Sequence, residues 1–214
     1  MNNKPIIIVA GEPYSVFLEI FFKSKKMVNV KKPVILITSK KLLLLQMKKL
    51  GFSFDINIIN EKKINYNLLD KKKINLIDVK FKSDNAFDKI SEKSNHFINE
   101  SFNIALKILK KKNCSGLING PISKRHFLKG KSLGITEYLS KKTKKDNVAM
   151  IIFNKKLSVS PITTHLALKN VNKNISKKKI CTHIEIINEF YKKNFKKKPK
   201  IAITGLNPHC ESNF

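Results

Sequence analysis

Arginine is almost absent from this chain: Arg125 is the only one among 44 basic residues, and the rest are lysine. A formal net charge of +29 over 214 residues would suit a nucleic-acid or anionic membrane surface, because clustered cations gain affinity by releasing phosphate counterions. Base and phosphate readers, however, rely on the planar, bidentate guanidinium. The lysines are also dispersed, as KSKK, KKK, KKTKK and SKKK in nearly every connecting segment. They read as solvated faces of a sequence rich in Ile, Asn and Phe, as a genome biased toward A and T would encode. No nucleic-acid partner is expected, and a basic nucleic-acid-binding protein is the distant alternative. Cysteine is scarce: Cys114, Cys181 and Cys210 are odd in number, widely spaced and in no CxxC pattern, which indicates a reducing cytosol. The opening MNNKPIIIVAGEP has too short an apolar stretch for a signal peptide and lacks a small-residue cleavage site. No run approaches the length of a membrane span. A soluble, cytoplasmic protein without a membrane partner is expected. Neither G-x-G-x-x-G nor G-x-x-x-x-G-K occurs, so neither nucleotide-binding loop has direct support.

What the chain does have is 42% hydrophobic residues, enough to build a core in one large domain or two small ones. Short β-rich runs alternate with longer amphipathic ones. PIIIVA (5–10), PVILIT (33–38), INLIDV (75–79 and its flank), SGLING (115–120), VAMIIF (148–153), SVSPIT (158–163) and KIAITGL (200–206) are candidate strands. Several are apolar at successive positions, as in strands covered on both faces. Ser83 is placed to cap a helix whose apolar positions are Phe87, Ile90, Phe97, Ile98, Phe102, Ala105 and Leu109, and Ile184, Ile187, Tyr191 and Phe195 repeat the pattern. The alternation predicts an α/β fold with mostly parallel sheets flanked by helices. A domain division within 120–135 is marked only by Gly120, Pro121, Gly130 and Gly134.

In such sheets the chemistry gathers at strand ends, and four ends stand out. AGEPYSVFLE (10–19) turns at Gly11 and Pro13, with Ser15 placed to cap the following helix. NGPISK (119–124) precedes GITEYL (134–139), and its Lys124 can meet an anion or stay solvated. SPITTHLAL puts His165 after a predicted strand, and TGLNPH puts His209 after another. Spacing leaves two readings of this pair: ordinary loop histidines, or neutral imidazoles sharing a divalent cation. His96 and His183 lie inside predicted amphipathic helices, and His126 lies in a basic turn.

Taken together, GEP, NGPISK with G-x-TE-x-L, TTHLAL and GLNPH, in this order, resemble the 4-hydroxythreonine-4-phosphate dehydrogenase family of pyridoxal phosphate biosynthesis, from about residue 6 to the last residue. The resemblance implies a two-domain α/β fold similar to the isocitrate and isopropylmalate dehydrogenases, a first domain over 1–125 and the start of a second over 126–214, and a homodimer with its active site between domains. It implies NAD and a divalent metal (Zn, Mg or Co). With these, family members oxidise 4-phosphohydroxy-L-threonine to a β-keto acid that loses carbon dioxide. His165 and His209 correspond to metal ligands, and a third ligand comes from a later histidine across the dimer. By this resemblance the chain stops inside the GLNPH loop with the second domain incomplete, and is expected to be inactive alone. Thr136 corresponds to a substrate-binding threonine. The family's preceding histidine is replaced by Ile135, which cannot donate a hydrogen bond. A family member acting on a phosphorylated sugar acid such as 4-phosphothreonate or 4-phosphoerythronate is the alternative.

Overall fold

The structure, a computed structural model, describes residues 4–207. The chain divides into two compact units, one up to Lys131 and one from Ser132, so the division falls inside the stretch marked by the glycines.

The first unit is a five-stranded parallel sheet in the order β3-β4-β2-β1-β5. Its strands are β1 (Ile6–Val9), β2 (Val34–Thr38), β3 (Ile56–Ile58), β4 (Ile74–Asp78) and β5 (Gly116–Asn119). Successive side chains point to opposite faces, and both faces are covered, which is why IIIV, VILIT and INLI need no polar alternation. On one face Ile8, Leu36 and Leu76 pack with Leu18 and Phe22 of helix α1 (Phe17–Met27) and with Leu43 and Met47 of α2 (Lys40–Lys49). Phe22 is fully buried, stacked on Phe54 and tilted against Phe52. Helix α3 (Asn95–Lys110) packs on β1, β2 and β5 and buries Phe97, Ile98, Phe102, Ala105 and Ile108, a stripe at helical spacing.

Local chemistry sets the helix ends. Ser15, expected to cap α1, lies one residue outside the cap: the N-cap is Val16, which makes no side-chain capping bond, and the Ser15 hydroxyl accepts the Phe17 amide at 3.3 Å in a local turn. Ser39 caps α2 by accepting the Leu42 amide, and Gly51, at φ +71°, follows that helix in the left-handed conformation common after helix ends. Asn75, buried in β4, is fully paired. Its amide donates to the Val34 and Asp70 carbonyls, and its oxygen accepts from the Asn57 side chain and the Asp70 amide.

Several expectations need correction. Ser83 does not cap a helix: its hydroxyl donates to the Asn85 carbonyl at 2.6 Å, and α3 begins only at Asn95. The Ala86 carbonyl accepts from the Gln46 side chain, which takes it out of any helical ladder, and Phe87 and Ile90 remain exposed. Strand β3 was not foreseen, because INI is three residues with a polar centre. In the second unit, VAMIIF and SVSPIT share one antiparallel bridge, Ile152 with Val159, and KIAITGL forms no strand. An apolar run becomes a strand only where a neighbour meets its backbone groups. The regular elements of this unit are α4 (Ile135–Thr143), α5 (Lys177–Phe195) and two short 3₁₀ turns. Among the described residues, no helix is long and apolar enough to cross a membrane.

Candidate functional site

The chain leaves β1 toward β2 on one side, and β5 lies on the other, so the switch in strand order falls between the C-terminal ends of β1 and β5. The GEP and NGP turns meet there. The Glu12 amide donates to the Pro121 carbonyl at 2.8 Å. A methyl group on Gly11 would lie 2.3 Å from the Pro121 oxygen, and one on Gly120 would lie 2.0 Å from the Ala10 oxygen. Two glycines are therefore required for the turns to interlock, and Gly11 also sits at φ +77°.

The interlock buries the Glu12 side chain, which is 3% exposed with neither carboxylate oxygen hydrogen-bonded. Ser94 lies beside it but gives its hydroxyl proton to the Ser91 carbonyl. Burial pushes the Glu12 carboxyl above its ordinary range, opposed by Ser94 and by the positive charge His126 carries when protonated. His126 is half-buried in the single wide helical turn Lys124–Leu128, and its carbonyl accepts from the Asn95 side chain at 2.9 Å. Lys124 and Arg125 are exposed, as solvated cations are.

In the second unit, Gly134 opens α4, with Thr136 and Glu137 in its first turn. The 161–165 segment comes back against this turn: the Thr164 hydroxyl donates to Glu137 Oε1 at 3.2 Å, while Glu137 Oε2 is buried without a partner. A methyl group on Gly134 would be 3.1 Å from Glu137 Oε2 and 3.4 Å from His165 Nε2, so both atoms face the space that glycine leaves. His165 is exposed and holds φ +56°, in the left-handed region that histidine enters more readily than most residues. It follows a bend rather than a strand, because 158–163 has no sheet partner beyond the Ile152 bridge. His209, with Cys210, lies outside the described residues.

Thr136, Glu137 and Thr164 border a cleft of about 330 Å³ that also touches Lys178, Lys179 and His183. His183 is the buried residue of α5. Its Nε2 is 2.7 Å from the Ser160 hydroxyl, and that hydroxyl donates its only proton to the Met150 carbonyl. The imidazole must then be the donor, which fixes the Nε2–H tautomer. Burial, with Lys179 adding to it, holds this imidazole below its ordinary pKa. Its helical position was legible in the sequence, but its place at the cleft was not.

Among the described residues no group of three or more His, Cys, Asp or Glu side chains could hold a metal ion; of the two histidines that the resemblance makes ligands, His165 is the described one, and it faces the Glu137 carboxylate across the gap at Gly134. Cys114 and Cys181 are free thiols.

The model of the family described as pyridoxal phosphate biosynthetic protein PdxA matches residues 29–213. A 4-hydroxythreonine-4-phosphate dehydrogenase of Sulfurihydrogenibium sp. is 34% identical over 97% of this chain and 64% of its own length. A D-threonate 4-phosphate dehydrogenase of Salmonella typhimurium is 22% identical over the whole chain and 66% of its own length. The fold matches the crystal structure of a 4-hydroxythreonine-4-phosphate dehydrogenase from Burkholderia phymatum, with a TM-score of 0.81 over 98% of this chain and 64% of that one at 24% identity. The chain thus spans about two-thirds of the length of these relatives.

Proposed function

The chain belongs to the pyridoxal phosphate biosynthetic protein PdxA family, and from that premise we propose that it serves an NAD-linked, divalent-metal-dependent oxidation of 4-phosphohydroxy-L-threonine followed by decarboxylation. In this reading it acts in the cytoplasm, as part of a homodimer, in pyridoxal phosphate biosynthesis. The observation that supports it is the convergence of Thr136, Glu137, Thr164 and His165 in the second unit.

His165, with His209, would hold the cation. When bound, a divalent cation lowers the pKa of the substrate hydroxyl and then polarises the new carbonyl. Thr136, at the cleft, offers a hydroxyl to the substrate. Lys178 and Lys179 border the same cleft and supply positive charge toward a phosphate ester. No described residue is assigned to the nicotinamide cofactor, which carries the redox step itself.

A second reading, oxidation of a phosphorylated sugar acid such as 4-phosphothreonate or 4-phosphoerythronate, is favoured by Ile135, which offers no hydrogen bond where the family resemblance expects histidine. The test is calorimetric binding of each of the three substrates to the purified protein, with divalent metal and after chelation. Chelator-sensitive binding that is tightest with 4-phosphohydroxy-L-threonine supports the first reading, and binding confined to the sugar acids supports the second. Binding of none of the three in the presence of divalent metal contradicts both.

A further inference from the structure

Glu137 follows Thr136 but has no part in the expected ligand and substrate set. Its carboxylate is held from one side only: Oε1 accepts from Thr164, the neighbour of His165, while Oε2 is buried and unpaired. A buried carboxylate oxygen without a donor is unfavourable, so a donor within reach is drawn to it. Oε2 and His165 Nε2 face the same gap, and that gap exists because residue 134 is glycine.

From this geometry we infer that Glu137 is the positioning residue for His165: its Oε2 accepts a hydrogen bond from His165 Nε2–H, which leaves the Nδ1 lone pair to the cation. The inference rests on the cation reading above. Two elements fix the arrangement, since the first turn of α4 carries the carboxylate and Thr164 ties it to the segment that carries the imidazole. An imidazole that donates one nitrogen to a carboxylate is locked in one tautomer and orientation and is a more basic ligand through the other.

The test uses histidine labelled with nitrogen-15 in the cation-free protein, together with cobalt(II) titration. In the wild type, His165 should be mainly the Nε2–H tautomer. Glu137→Gln should shift it toward the other tautomer and weaken cobalt binding about tenfold or more, and Glu137→Asp, which keeps the charge, should restore part of the loss. Gly134→Ala, which puts a methyl group into the gap, should act in the same direction without altering either partner. A wild-type His165 in the Nδ1–H form overturns the inference. So do an unchanged tautomer and unchanged cobalt affinity in Glu137→Gln, provided that His165→Ala does weaken binding. If His165→Ala binds cobalt as the wild type does, the cation reading fails, and the inference fails with it.

Discussion

The two units treat similar sequence differently. Up to Lys131, IIIV, VILIT and INLI are paired in a parallel sheet, and Ile7, Ile35, Leu36 and Ile37 have no more than 1% of their surface exposed. Beyond it, Met150, Ile152, Phe153 and Ile203 lie in runs of the same composition and are 41% to 63% exposed. What separates them is not β-propensity but whether a neighbouring strand and a covering helix are there to meet them. Both units bury unpaired polar atoms, but they place them differently. Both Glu12 carboxylate oxygens are enclosed by the interlocked turns of the first unit, whereas the Glu137 oxygen of the second faces an imidazole across a common gap.

The contrast breaks first at the core. Phe22→Ala should destabilise the protein by about 3–5 kcal/mol, because Phe22 is fully buried, whereas Leu168→Ala, at a residue 88% exposed, should stay within about 0.5 kcal/mol. Urea unfolding of both variants reads this, and equal effects would show the two units to be equally packed. Next comes the junction of β1 and β5. Gly120→Ala drives a methyl group into the Ala10 carbonyl and should destabilise by about 1–3 kcal/mol or more. Gly116→Ala, at the start of β5 with nothing within 4 Å of the added carbon, should be neutral or gain about 0.4–1 kcal/mol. If both cost alike, the interlocked turns are not what constrains Gly120.

The smallest effect is electrostatic. Burial raises the Glu12 carboxyl above its ordinary pKa, so its contribution to stability is full below the ordinary carboxylate value and is lost as pH rises through the folded one. Glu12→Gln removes that dependence. Its melting temperature relative to the wild type should therefore rise between pH 4 and pH 8, and a constant difference across that range would mean that Glu12 is not strained by its burial.

Much of this was legible in the sequence. Four of the five strands of the sheet lie within the apolar runs that announced them, because an unbroken apolar run bounded by Gly or Pro has few other outcomes in a doubly covered sheet. β3 escaped because its stability comes from pairing with β4 rather than from its own three residues. The start of α3 was misplaced because the bond from Gln46 to the Ala86 carbonyl is a tertiary contact. At the site, Thr136 and His165 could be named from motif resemblance. Glu137 could not, because its importance depends on the return of Thr164 across 27 residues. Glu12 was visible in GEP, but its burial depends on the Pro121 turn.

Hydrogen exchange of the backbone amides, measured with and without a divalent cation and 4-phosphohydroxy-L-threonine, tests the central claim that the first unit is a frame and the second carries the cation site. The account predicts slow exchange in β1, β2 and β4 under all conditions, with added protection at 134–137 and 162–165 only when the cation is present. Protection gained solely in the first unit, or none at 134–137 and 162–165, would contradict it.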